Sequence, residues 1–221
     1  MQTPVTRLYP APGGQHPLEG LYLQHQLHRQ PDKPYVYGNF ITSLDGRISL
    51  GNKDTTTHTV PAETVNPRDW RLYQELAGQS DLLITSSRYF RQSLIGEAQD
   101  QLPIGSQSEF ADIREWRLAQ GLPAQPDIAI LSGSLEIPIA ALEPYRHRRI
   151  LIITGEASDQ TRINELQASE IEVIRAGSGT RVDGHRMISH LATLGYRSIY
   201  AIAVRPFSIP YLMQTSLTGY I

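Results

Sequence analysis

From Asp81 to Val204 the chain alternates short aliphatic runs with helical patterns, and this alternation limits the available folds more than any other feature. Asp81-Leu82-Leu83-Ile84-Thr85, Ile128–Leu131, Ile150–Ile153, Ile171–Ile174 and Ser198–Val204 each read as a strand. Between them, Arg88–Leu94 and Asp159–Gln167 read as helices, the second with Ile163 and Leu166 inward. Asp183 is placed to cap a further helix whose apolar stripe is Met187, Ile188, Leu191 and Leu194. Val182 can staple onto Met187, and Gly195 ends that helix. Strands alternating with helices of this length predict an α/β fold: a mostly parallel sheet with helices on both faces.

The first strand of such a sheet is Tyr35-Val36-Tyr37-Gly38-Asn39-Phe40-Ile41-Thr42, which is rich in aromatic and β-branched residues. Apolar side chains fall on both parities, so both faces are expected to be covered, as in a central strand. The run ends in Ser43-Leu44-Asp45-Gly46, a turn composition, and open α/β sheets bind ligands at such strand ends. A plain strand and turn without chemistry fits the same spacing. The stretch from Ser49 to Glu63 reads as a hydroxyl-rich loop over the site. Asn66 then caps a helix with Pro67 at its first position, a buried stripe of Trp70, Tyr73, Leu76 and Ala77, and Gly78 at its end. Arg68 and Arg71 leave from other faces, toward either a phosphate or solvent. After Thr85, the hydroxyls of Ser86 and Ser87 lead into a helix, an arrangement that offers free N–H groups to an anion. It lacks the glycines and lysine of a Walker loop.

Residues 1–34 carry six prolines and read as a surface or lead-in segment, followed by one domain over 35–221. His25 and His28 have a spacing a metal can use on a helix, but no nearby carboxylate repeats it, and a solvated pair is expected. Residues 96–126 read as an insertion with one amphipathic piece, Phe110 to Leu118. The chain has no cysteine, which excludes disulfides, thiolate metal sites and cysteine nucleophiles. A net charge of -2 favours neither nucleic acid nor an anionic membrane as partner. No apolar run is long enough to span a bilayer, and the N-terminus lacks a signal-like apolar core, so a cytoplasmic location is expected.

The run Asn39 to Ile48, with its SLDG turn, resembles the opening strand of the riboflavin-biosynthesis reductase domain. That domain is the C-terminal half of bacterial RibD, within the dihydrofolate-reductase-like superfamily. The resemblance continues through Asn66–Ala77, Asp81–Thr85, Ile150–Gly155, Val182–Gly195 and Ser198–Ala203, most of residues 35–203. It implies NADPH at the C-terminal edge of the sheet and hydride transfer to the ribose carbon of an aminopyrimidine ribotide, a nucleotide-like small molecule. Asp45 would be the catalytic-turn carboxylate, orienting a backbone or amide group rather than moving a proton. Asn39, Ser43 and Arg68 would meet substrate. Leu44, Gly46, Thr85, Ser86, Ser132, Thr154, Gly155, Val204 and Arg205 would meet cofactor. No metal is implied, and a homodimer is.

The departures are specific. The family's glycine-threonine turn and Asp-x-Pro-x-Leu run is replaced by Ser86–Leu94, which puts Tyr89 and Ser93 at positions of cofactor contact. Its Glu-Gly-Gly-Pro strand end is replaced by Ile202-Ala203-Val204-Arg205-Pro206, so Val204 would crowd a phosphate bound close to the backbone, while Arg205 could instead pair with it. The chain stops at Ile221, where the family continues into two more strands, and a truncated sheet edge is expected. Three readings therefore stand: an NADPH-dependent reductase, a non-catalytic remnant of that family, and a nucleotide-binding or dimerisation module.

Overall fold

The structure, a computed structural model, describes residues 4–8, 13–29, 33–41, 50–51, 58–59, 66–98 and 101–202. Two short antiparallel pairs lie outside the main sheet: β1 (Val5–Arg7) with β2 (Gly14–His16), and β4 (Leu50–Gly51) with β5 (His58–Thr59). The second pair lies within the stretch expected to be a plain loop.

The main sheet holds β3 (Tyr35–Gly38), β6 (Leu82–Ser86), β7 (Asp127–Leu131), β8 (Ile150–Thr154), β9 (Glu172–Arg175) and β10 (Ser198–Ala201). Its order is β3-β10-β6-β7-β8-β9, and every pairing is parallel. The fold is the expected α/β one. β3, however, is an outer strand among the described residues rather than a central one. Its two-sided burial is real: Val36 packs with Leu82 and Ile199 on one face, and Tyr37 packs with Leu83 and Tyr200 on the other. Helices cover both faces as far as the edge, so burial on both sides does not reveal a strand's rank. β3 also stops at Gly38, where the Phe40 ring lies so close that a Cβ would sit 2.9 Å from it.

Helices α1 (Pro67–Gly78), α2 (Ser87–Leu94), α3 (Ala111–Ala119) and α4 (Gln160–Ala168) contribute buried residues to one side of the sheet, and α5 (Gly184–Thr193) covers the other. Their ends follow local chemistry. Asn66 accepts from the Arg68 N–H at 2.9 Å, Asp159 from Thr161 at 2.8 Å and Asp183 from Arg186 at 2.9 Å. Val182 packs against the cluster that holds Met187. Gly195 follows the last turn of α5 with φ +96°. Gly78 is the last residue of α1, as expected, and Gln79 caps the helix. A Cβ at Gly78 would stand 2.6 Å from Ile113 Cγ2, so the glycine lets α3 approach α1.

Two segments expected to be peripheral build the α1 side of the core. Leu18, Leu23 and Leu27 are buried, with short 3-10 helices at Tyr22–His25 and Leu27–Arg29. Side chains of α1 hold this segment in place. The fully buried Glu75 carboxylate accepts from the N–H of Gly20 at 2.6 Å and of Tyr22 at 2.9 Å. Gln79 accepts from the Leu27 N–H at 3.0 Å and donates to the Tyr22 carbonyl at 2.9 Å. In the 96–126 stretch, Leu102, Ile104, Phe110 and Ile113 are buried. Arg117 is also fully buried and pairs with no carboxylate among the described residues. It donates to the carbonyls of Gly78 at 2.9 Å, Ser80 at 2.5 Å and Pro123 at 2.7 Å, a cation placed on the C-terminal carbonyls of α1. Burial lowers its pKa to about 10.

Candidate active site

Because all six strands run parallel, their C-terminal ends form one edge, and the chain reverses its lateral order there. The strands β6 to β9 step outward, and β10 returns to lie between β3 and β6. Ligands of open α/β sheets bind at such a reversal. Asn39 follows β3, Thr85 and Ser86 end β6, Ser132 follows β7, and Thr154 and Gly155 close β8, so these six expected residues lie along one edge. Arg68 is exposed in the first turn of α1. Ser43, Leu44, Asp45, Gly46, Val204 and Arg205 lie outside the described residues, as do most of Ser49–Glu63. Arg71 is corrected. It is buried and points into the protein, donating to Glu75 at 2.6 Å, to Asp112 and to the Glu109 carbonyl at 3.1 Å. Four oxygen atoms of three residues hold its guanidinium away from any phosphate.

The two halves of the edge differ in polar chemistry. At β6, Thr85 is fully buried and its Oγ1 has no hydrogen-bond partner among the described residues. Ser86 begins α2 without a capping bond from its side chain, and the first turn of α2 holds no acidic residue. The positive dipole end of α2 therefore meets the edge without an acidic side chain in its first turn, which suits an anion. At β3, the Asn39 amide reaches the Asp69 carboxylate at 3.4 Å. The helix-start pattern around Asn66 accounts for Asp69 as a dipole residue, and nothing in the sequence pairs it with Asn39. Below them lies Tyr200, fully buried, its hydroxyl also without a partner among the described residues. Burial, reinforced by the nearby Tyr73, Tyr37 and Asp69, raises its pKa well above the ordinary phenol value.

At β7 and β8 the polar groups are satisfied internally. Ser132 Oγ accepts from the Leu135 N–H at 3.0 Å, and Thr154 Oγ1 shares a 2.6 Å bond with Ser158 Oγ. The loop after β9 lies directly on this end. The N–H of Glu156 donates to the Gly177 carbonyl at 2.7 Å, and that of Ala157 to the Gly179 carbonyl at 3.0 Å. Gly155 makes this approach feasible, since a Cβ there would collide with the Gly179 carbonyl oxygen. The start of α2 thus carries neither a side-chain cap nor an acidic residue, whereas the N–H groups after β8 are bonded to the loop that follows β9. Among the described residues no group of His, Asp and Glu is arranged to hold a metal ion, and no helix is long and apolar enough to cross a membrane.

No protein-family model matches the chain, and no curated protein matches it. Solved structures do. A pyrimidine reductase-like protein from Corynebacterium diphtheriae superposes with a TM-score of 0.61 at 18% identity, over 83% of this chain and 71% of that one. Acinetobacter baumannii RibD superposes with a TM-score of 0.52 at 14% identity, over 84% of this chain and 44% of that one. The chain therefore spans less than half the length of that RibD. The topology, the parallel sheet and these two superpositions together establish that the chain has the dihydrofolate-reductase-like fold found in pyrimidine reductase-like structures.

Proposed function

We propose that this chain is an NADPH-dependent reductase of the riboflavin-pathway type, acting on the ribose carbon of an aminopyrimidine ribotide in the cytoplasm as a homodimer. The observation that carries the reading is the buried, unpartnered Thr85 hydroxyl beside the uncompensated N-terminus of α2, at the ligand-binding edge of a fold shared with a pyrimidine reductase-like protein. NADPH, when bound, supplies the hydride. Thr85 and Ser86 would hold a cofactor phosphate against α2. Asn39, oriented by Asp69, would fix the substrate ring, with Arg68 placed to meet its phosphate. Asp45 would orient an amide or backbone group.

A second reading, a non-catalytic relative, draws on one observation: the backbone donors after β8 are already bonded to the loop at Gly177 and Gly179. Titration of NADPH and NADH against thermal unfolding separates the two. A ligand at 100 times its Kd adds about 2.7 kcal/mol, roughly 5–11 °C for a chain of this size. The reductase reading expects that rise with NADPH, and a turnover rate that falls in Asp45→Ala with stability retained. No rise with either nucleotide overturns it.

A further inference from the structure

At the other end of the sheet, the last residue of β9 and the outer face of α5 border a shallow, open cleft of about 530 Å³ whose lining side chains are all exposed. It is lined by Arg175, His185, Arg186, Ser189, His190 and Thr193. The lining contains two guanidinium groups, two imidazoles and two hydroxyls but no carboxylate, in a chain whose net charge is -2. The cationic groups are only partly engaged. Arg175 donates to the neutral side-chain amide oxygen of Gln160. Arg186 pairs with Glu156 at 2.7 Å, but the two side chains are 57% and 58% exposed, so water screens that pair heavily. Arg186 and Ser189 are near neighbours on one helical face, within reach of the same small ligand.

We infer that this cleft binds a phosphate monoester, held by Arg175 and Arg186 with Ser189 donating, and that Glu156 is a built-in competitor for Arg186. Guanidinium groups match the oxygen geometry of a phosphate dianion, and two of them exceed what one screened carboxylate offsets. Five strand steps separate β9 from β3, about 24 Å at the usual strand spacing. The cleft is therefore separate from the Asn39 end of the edge. Its phosphate belongs either to an independent small molecule or to the far end of an extended cofactor, and the second source rests on the reductase reading.

The test is calorimetric titration of the full chain, at low salt, with inorganic phosphate and separately with adenosine 2′-monophosphate. Saturable binding of at least one probe is expected. Arg175→Gln should weaken it at least fivefold, and Glu156→Gln should tighten it severalfold by releasing Arg186. All the substituted side chains are exposed, and unchanged unfolding midpoints would confirm that the fold is intact. Competition by NADPH but not NADH assigns the cleft to the cofactor's far end. Equal binding of both probes without such competition assigns it to an independent phosphate ligand and holds even if the chain reduces nothing. Absence of saturable binding by either probe, or a Glu156→Gln variant that binds no tighter than the parent, overturns the inference.

Discussion

Replacing Glu75 by alanine tests whether the N-terminal segment is part of the folded unit. The carboxylate is fully buried between α1 and residues 20–22, and it accepts from two backbone N–H groups and from Arg71. Alanine leaves two half-buried N–H groups without an acceptor and the Arg71 guanidinium with Asp112 as its remaining acid, itself half-exposed. Breaking a buried pair from one side costs about 3–5 kcal/mol. For a chain of this length that lowers Tm by roughly 6–20 °C. Circular dichroism gives Tm, and hydrogen exchange gives the protection of the Gly20 and Tyr22 amides. Both should fall together, and Glu75→Gln, which keeps an acceptor oxygen, should recover part of each. If Glu75→Ala shifts Tm by under about 2 °C with those amides still protected, the clamp reading fails.

Arg117→Met should cost about 2–4 kcal/mol in denaturant unfolding, since the two buried carbonyls of Gly78 and Ser80 lose their donor while the side-chain volume is kept; a loss below about 1 kcal/mol would mean that water replaces the guanidinium at no penalty. Thr85→Val should leave stability unchanged or raised by up to about 1 kcal/mol, because the lost hydroxyl is buried and unpartnered, while weakening NADPH binding. A clear loss of stability would place an unseen partner on that oxygen. Burial raises the Asp81 pKa above 3.8 despite backbone N–H bonds from Arg197 and Ser198. The native state therefore holds its proton to higher pH than the unfolded chain, and the Asp81 contribution to stability declines as pH rises from 3.8 through the raised value. Asp81→Asn should flatten that decline, and an unchanged pH profile would remove Asp81 as its source.

What the sequence reveals here is what local chemistry decides. Asp159, Asp183 and Asn66 cap the helices expected of them, and the strands from Leu82 to Arg175 fall within a residue or two of their aliphatic runs. The shared edge of Thr85, Ser86, Ser132, Thr154 and Gly155 follows once the sheet is parallel, because parallel strands end on the same side. Lateral order is a different matter. Nothing local to Tyr35–Gly38 records that β10 is its neighbour, and two-sided burial looks the same at the rim as at the centre. The buried polar residues are hidden for a related reason. Nothing in the local pattern marks Glu75, Gln79 or Arg117 as buried, since each has backbone partners 37 to 57 residues away. The covering of β8 by Gly177–Gly179 is equally non-local, with Gly155 and the glycines of the loop as its only trace.

The return of β10 to the place beside β3 has a consequence for how the protein is made. Within the described sheet, β3 bonds to β10 alone, and the two are about 160 residues apart in the chain. During synthesis Tyr35 and Tyr37 leave the ribosome long before Ile199 and Tyr200 exist, so one of the first strands to emerge waits for nearly the whole domain. The block from β6 to β9 can assemble meanwhile from neighbours in sequence, leaving an open slot along β6. Closing that slot is a late, long-range step. A nascent chain stalled before Ser198 would expose β6 and an unpaired β3, a form for chaperones to hold and proteases to find.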